Sequence, residues 1–141
     1  MPTIEIDAAL ERLVHHTLEV MCFAEAKRLP FLPLMAAPVE AAVEFSGGRT
    51  GRLQLAVDGD TARALSTAFL GLEAGHASAA LEASSVVREL AHVLAGRLVT
   101  CLDPAVPFET KRSAASWEPD TTIGQAFRIC TGTFRIALQM S

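Results

Sequence analysis

Ser85-Val86-Val87-Arg88-Glu89-Leu90-Ala91-His92-Val93-Leu94-Ala95-Gly96-Arg97-Leu98-Val99-Thr100-Cys101-Leu102-Asp103 is the stretch around which the rest of the chain is organised. At 3.6 residues per turn, Val86, Val87, Leu90, Val93, Leu94, Leu98 and Cys101 gather on one side of a helix. Arg88, Glu89, His92 and Gly96 gather on the other. The apolar side predicts a core helix. The polar side carries a carboxylate and an imidazole three residues apart, a spacing at which both project from one face. Gly96 extends this stripe by a turn. A glycine inside a helix costs about 1 kcal/mol relative to alanine, so its position implies a close approach to the backbone, by a docked partner or by a neighbouring strand.

Working outward, the long helix is expected to begin near Ser78, after Gly75-His76, and to end at Asp103-Pro104. Ahead of it, Asp58-Gly59-Asp60 leads into a short helix through Ala62, Leu65 and Phe69, with Asp60 as the expected cap and Gly71 as the stop. Val39, Ala41, Val43 and Phe45 alternate with Glu40 and Glu44, as a half-buried strand requires. Leu53, Leu55 and Val57 form its partner, joined to it by the turn Ser46-Gly47-Gly48-Arg49-Thr50-Gly51. Pro30 to Pro38 reads as a connector. A first helix, with Asp7 as its expected cap, carries the stripe Leu10, Leu13, Val14, Thr17, Leu18 and Met21 and ends before Leu29-Pro30. Downstream, Phe108 to Ser113 predicts a short strand and Trp117 to Gly124 a loop. Phe127 and Ile129, then Phe134, Ile136, Leu138 and Met140, flank Thr131-Gly132 as a closing hairpin. The sum is an α+β domain spanning residues 1–141, an antiparallel sheet with three helices packed mainly on one face.

Composition removes several function classes. A formal net charge of −4, with no cluster of lysine or arginine, argues against nucleic acid as a partner. The start of the chain has neither a basic nor an apolar targeting region, and Pro30, Pro33 and Pro38 break the most apolar loop, so no membrane segment and a cytoplasmic protein are expected. Cys22, Cys101 and Cys130 are an odd set without a close pair, consistent with reduced structural thiols, and Cys101 falls on the apolar side of its helix, where a thiol is inert. The glycine-bearing turn joins two strands and lacks a Gly-Lys-Ser/Thr ending, which excludes a phosphate loop. Asp58-Gly59-Asp60 lacks the spacing of a calcium loop. His15 and His16 are adjacent on a helix and diverge, a poor chelate. Glu89 and His92 would need a second Glu-x-x-His and further glutamates on facing helices to hold a di-iron centre, and the chain's other such motif, Glu73-Ala74-Gly75-His76, falls between two expected helices. Arg97 falls on the apolar side of the wheel, where it must snorkel outward or pair with a carboxylate.

Two blocks carry a family resemblance. Glu89-Leu90-Ala91-His92-Val93-Leu94-Ala95-Gly96 is similar to a helix reading Glu-x-x-Asn-x-x-x-Gly in the CheC/CheX family of bacterial chemotaxis phosphatases. Gly47-Gly48-Arg49-Thr50-Gly51-Arg52-Leu53 followed by Asp60-Thr61-Ala62 is similar to that family's glycine-bracketed hairpin and the helix after it. The chain resembles the CheX-like members along nearly its whole length. The resemblance implies a CheC/CheX-like fold and removal of phosphate from the aspartyl phosphate of a CheY-like response regulator, in chemotaxis or related two-component signalling. It also implies roles: Glu89 would contact the lysine of the regulator's acidic phosphorylation pocket, and His92, which stands where the family has asparagine, would orient the attacking water. Arg88 and Gly96 would lie in the partner-binding face. No cofactor of its own is implied, because Mg2+ belongs to the receiver. A homodimer through a sheet edge is also expected. The alternative reading is a CheX-like module that binds a receiver or dimerises without hydrolysing phosphate.

Overall fold

The computed structural model describes residues 3–73, 77–113, 123–129 and 132–140. The expectations for Gly75-His76, for the loop beginning at Trp117, for Cys130 and for Thr131 fall outside those residues. Elements run α1 (Thr3–Cys22), β1 (Ala26–Arg28), β2 (Val39–Ser46), β3 (Gly51–Val57), α2 (Gly59–Leu70), α3 (Ala77–Leu102), β4 (Glu109–Ser113), β5 (Ile123–Ile129) and β6 (Gly132–Met140). The strands form one six-stranded antiparallel sheet in the order β1-β5-β6-β3-β2-β4.

Strand alternation decides which face is covered. Ala41, Val43, Phe45, Leu53, Leu55, Val57, Phe127, Ile129, Phe134, Ile136 and Leu138 all point to one side and are buried there. All three helices pack on that side: α1 against β1 and β5, α2 against β6, and α3 against β2 and β3. Leu10, Val14 and Leu18 of α1 and Val87, Leu90, Leu94 and Leu98 of α3 supply the facing layer. The other face is partly covered by the segment after β1, where Leu32 lies over Gly124 and Arg135 donates to the Pro33 carbonyl at 2.9 Å.

Several sequence expectations are corrected by what the side chains hold. Asp7 does not cap α1, which begins four residues earlier; its carboxylate and that of Glu11 grip Arg28, and Gln125 donates to the Asp7 backbone carbonyl at 2.8 Å. This grip explains β1, a three-residue strand that no periodicity announces. The same Gln125 sits inside β5, so that strand starts at Ile123 where the sequence predicted loop. Asp60 is not the cap of α2 either. Asp58 holds that position, and its carboxylate accepts the Thr133 backbone N–H at 2.6 Å, tying α2 to β6. Gly71 does end α2, in the left-handed conformation that favours glycine.

Candidate functional site

Helix α3 is pressed between the sheet and the other two helices, and its outward arc is narrow. Val86, Val87, Leu90, Ala91, Leu94, Ala95, Leu98 and Val99 are buried. Glu89 is exposed, while Arg88, His92, Val93, Gly96 and Arg97 are half-buried along the same strip. The carboxylate and the imidazole therefore both face away from the core, as the wheel predicted. Two positions depart from it. Toward its C-terminal end the buried arc shifts to Leu98 and Val99, which leaves Cys101 exposed rather than inert in the core, and Val93 moves to the rim.

Cysteine alkylation should read this difference. Burial pushes the Cys22 thiol up to about 11, so at pH 8 it holds little thiolate. Peptide mapping after brief alkylation is expected to find Cys101 modified and Cys22 intact.

The imidazole of His92 is held from outside its own helix. Nδ1 lies 3.3 Å from Oγ1 of Thr110 on β4, the edge strand beside β2. That contact fixes the ring plane. When Nδ1 donates to the threonine oxygen, Nε2 carries the lone pair and has no other partner among the described residues. Thr110 was not among the sequence candidates. Its only signal was alternation within Phe108 to Ser113, which puts Thr110 and Arg112 on one face.

Gly96 is approached closely, and by this chain's own Phe108. A Cβ built on Gly96 would meet the Phe108 ring at 3.4 and 3.5 Å, ordinary contact distances. The ring is placed by the glycine-bearing turn. A Cβ on Gly47 would stand 2.7 Å from the Pro107 carbonyl oxygen and 3.0 Å from Phe108 Cβ, and Arg49 pairs with Asp103 at 3.3 Å. The turn is thus a seat for the 103–108 loop, which closes the end of the α3 stripe. Gly96→Ala is expected to keep this packing and to raise stability by about 0.5–1 kcal/mol through helix propensity, read as a higher denaturant midpoint.

Arg97 finds an imidazole instead of a carboxylate: its guanidinium donates to Nδ1 of His16 on α1 at 2.9 Å. Leu13, Val93, Gly96 and Phe108 line the open groove between α1, α3 and β4 around this pair. Among the described residues no three histidine, cysteine, aspartate or glutamate side chains could hold a metal together, and no helix is long and apolar enough to cross a membrane.

With this geometry in place, comparison with known proteins gives a fold class. No protein-family model and no curated protein matches the sequence. Solved structures do match. The chemotaxis protein CheX from Desulfovibrio desulfuricans superposes with a TM-score of 0.72 at 16% identity, covering 97% of this chain and 99% of that one. CheX from Vibrio vulnificus gives 0.72 at 14% identity over 100% and 99% of the two chains. A chain of the CheX–CheY–BeF3–Mg2+ complex from Borrelia burgdorferi gives 0.70 at 14% identity over 99% and 97%. The protein has the CheX-type fold, an α+β domain with three helices on a six-stranded antiparallel sheet.

Proposed function

We propose that this CheX-type domain docks the phosphorylated form of a CheY-like receiver on the outward strip of α3 and hydrolyses its aspartyl phosphate. Glu89 would contact the receiver's lysine, His92 would orient the water, and Arg88 and Gly96 would line the contact. The observation that carries this reading is the pairing of an exposed Glu89 with an outward His92 whose ring is fixed by Thr110. A CheX chain crystallised with CheY and BeF3–Mg2+ shares the fold, which supports a receiver as the partner class.

The chemistry asks little of the docking protein. In-line hydrolysis needs a water opposite the leaving carboxylate, and the receiver supplies the Mg2+ and the positive charge. Nε2 of neutral His92 accepts a hydrogen bond from that water and turns the oxygen lone pair toward phosphorus. Thr110 is a positioning residue, because it acts only through the ring. The protein needs no cofactor of its own, and its place is the cytoplasm, in chemotaxis or related two-component signalling.

Decay of an acyl-phosphorylated receiver tests this. Acceleration by the wild type, lost in His92→Ala, supports the enzyme. The histidine at the position of the family's asparagine favours one second reading, a module that binds a receiver without turning it over. That reading predicts an inert wild type and turnover restored in His92→Asn. A homodimer would pair through β1 or β4, the edge strands of the sheet among the described residues.

A further inference from the structure

We infer that Arg88 of α3 and Arg112 of β4 form a basic cleft that receives carboxylates from the rim of the docked receiver's phosphorylation site. The inference rests on the docking reading above and deepens it, because it adds the edge strand to the interface and assigns the charge of the surface it fits.

The two elements run side by side as rungs. Thr110 and Arg112 alternate to the helix-facing side of β4, opposite Phe45 and Val43 of β2. On α3, His92 and Arg88 are four residues apart and so share a face. The Thr110–His92 contact is one rung, and Arg112 with Arg88 is the next, one helical turn toward the N-terminus of α3. Both guanidiniums line a cleft of about 510 Å³, with Ser84 and Ser113 beside them. Arg88 donates to Ser85 Oγ at 3.3 Å, and Arg112 is exposed. Among the described residues neither pairs with a carboxylate.

Glu40 of β2 also lines the cleft, but strand alternation turns it to the opposite sheet face, where it acts on Arg135. Lys111, between the rungs, points to that same opposite face and pairs with Glu44 at 3.4 Å. Two cations brought to one cleft repel unless an anion lies between them. Guanidiniums in particular take carboxylates in a planar two-bond geometry. A receiver that holds Mg2+ must gather carboxylates around its phosphorylation site, since Mg2+ takes oxygen ligands. Arg88 and Arg112 therefore stand one turn from His92 where that acidic rim would come to rest.

Stopped-flow association with a CheY-type receiver in its BeF3−–Mg2+ form separates the claims. Arg88→Gln and Arg112→Gln are each expected to slow association about threefold at low salt, and the double variant about tenfold with a flatter salt dependence. Arg88→Lys should keep the salt dependence, and Lys111→Gln should match the wild type. A double variant that associates like the wild type at every salt concentration, while Glu89→Ala loses binding, would overturn the basic cleft and leave the docking face standing. A Lys111→Gln loss equal to the double variant's would overturn it too, since net charge and not position would then matter. If the wild type binds no receiver, or Glu89→Ala binds normally, the docking reading fails and the cleft's role goes with it.

Discussion

Glu89→Ala is expected to weaken binding of a phosphorylated receiver about 30-fold or more, the cost of about 2 kcal/mol or above for removing one partner of a charge pair that becomes buried on docking. Its melting temperature is expected to stay within about 3 °C of wild type. The two halves of this prediction have separate causes. Glu89 is exposed on α3 and appears in no ion pair among the described residues, so folding does not depend on its carboxylate. Alanine is also the better helix former, which offsets any small loss of solvation. In a docked complex the same carboxylate would leave water and meet the receiver's lysine, and its loss would strand that cation. Isothermal titration beside a thermal melt reads both. A large drop in melting temperature would mean that Glu89 is structural.

Phe134→Ala is expected to do the reverse, costing about 3–5 kcal/mol of stability and lowering the melting temperature by about 10 °C or more. Phe134 is fully buried and stands opposite Val57 of β3 and Phe127 of β5 in the middle of the sheet. Its ring meets that of Phe127 edge-on, with centroids 6.5 Å apart, and Phe127 is met in turn by His15 of α1 at 5.4 Å. Truncation opens a void bounded by strands that cannot close on it, because their backbones are fixed in the ladder. For a domain whose whole margin is about 5–15 kcal/mol, that is a large share. Chemical denaturation measures it. A loss under 1 kcal/mol would show that the helix layer can collapse onto the sheet.

The fold was legible where a pattern repeated long enough to be read. Two-residue alternation located β2, β3 and β6, and the 3.6-residue stripe located α1 and α3, because each face had to be buried somewhere. Where a feature depended on a distant residue, local pattern failed. Asp7 and Asp60 look like caps to any rule that reads neighbours alone, yet the carboxylate of Asp7 is taken by Arg28 and the cap position of α2 belongs to Asp58. β1 follows from the same grip on Arg28.

The candidate site divides the same way. A wheel suffices to turn Glu89 and His92 outward, since both lie opposite the apolar arc. It cannot say that Thr110 and Arg112, about twenty residues on, fold back beside them, nor that Phe108 covers Gly96. It also treats every turn of α3 as equally enclosed. The last turn is not, so Cys101 lies in solvent although its wheel angle is apolar. Arg97 needed a partner, and the wheel could not name His16 across the helix pair.

Amide chemical shifts of the labelled protein, followed during titration with a CheY-type receiver in its BeF3−–Mg2+ form, test the central claim most directly. The account predicts that the largest changes map to residues 85–97 and 108–112, the strip of α3 with its neighbouring edge strand. Changes confined to the 29–38 segment, or to the far side of the sheet, would contradict it.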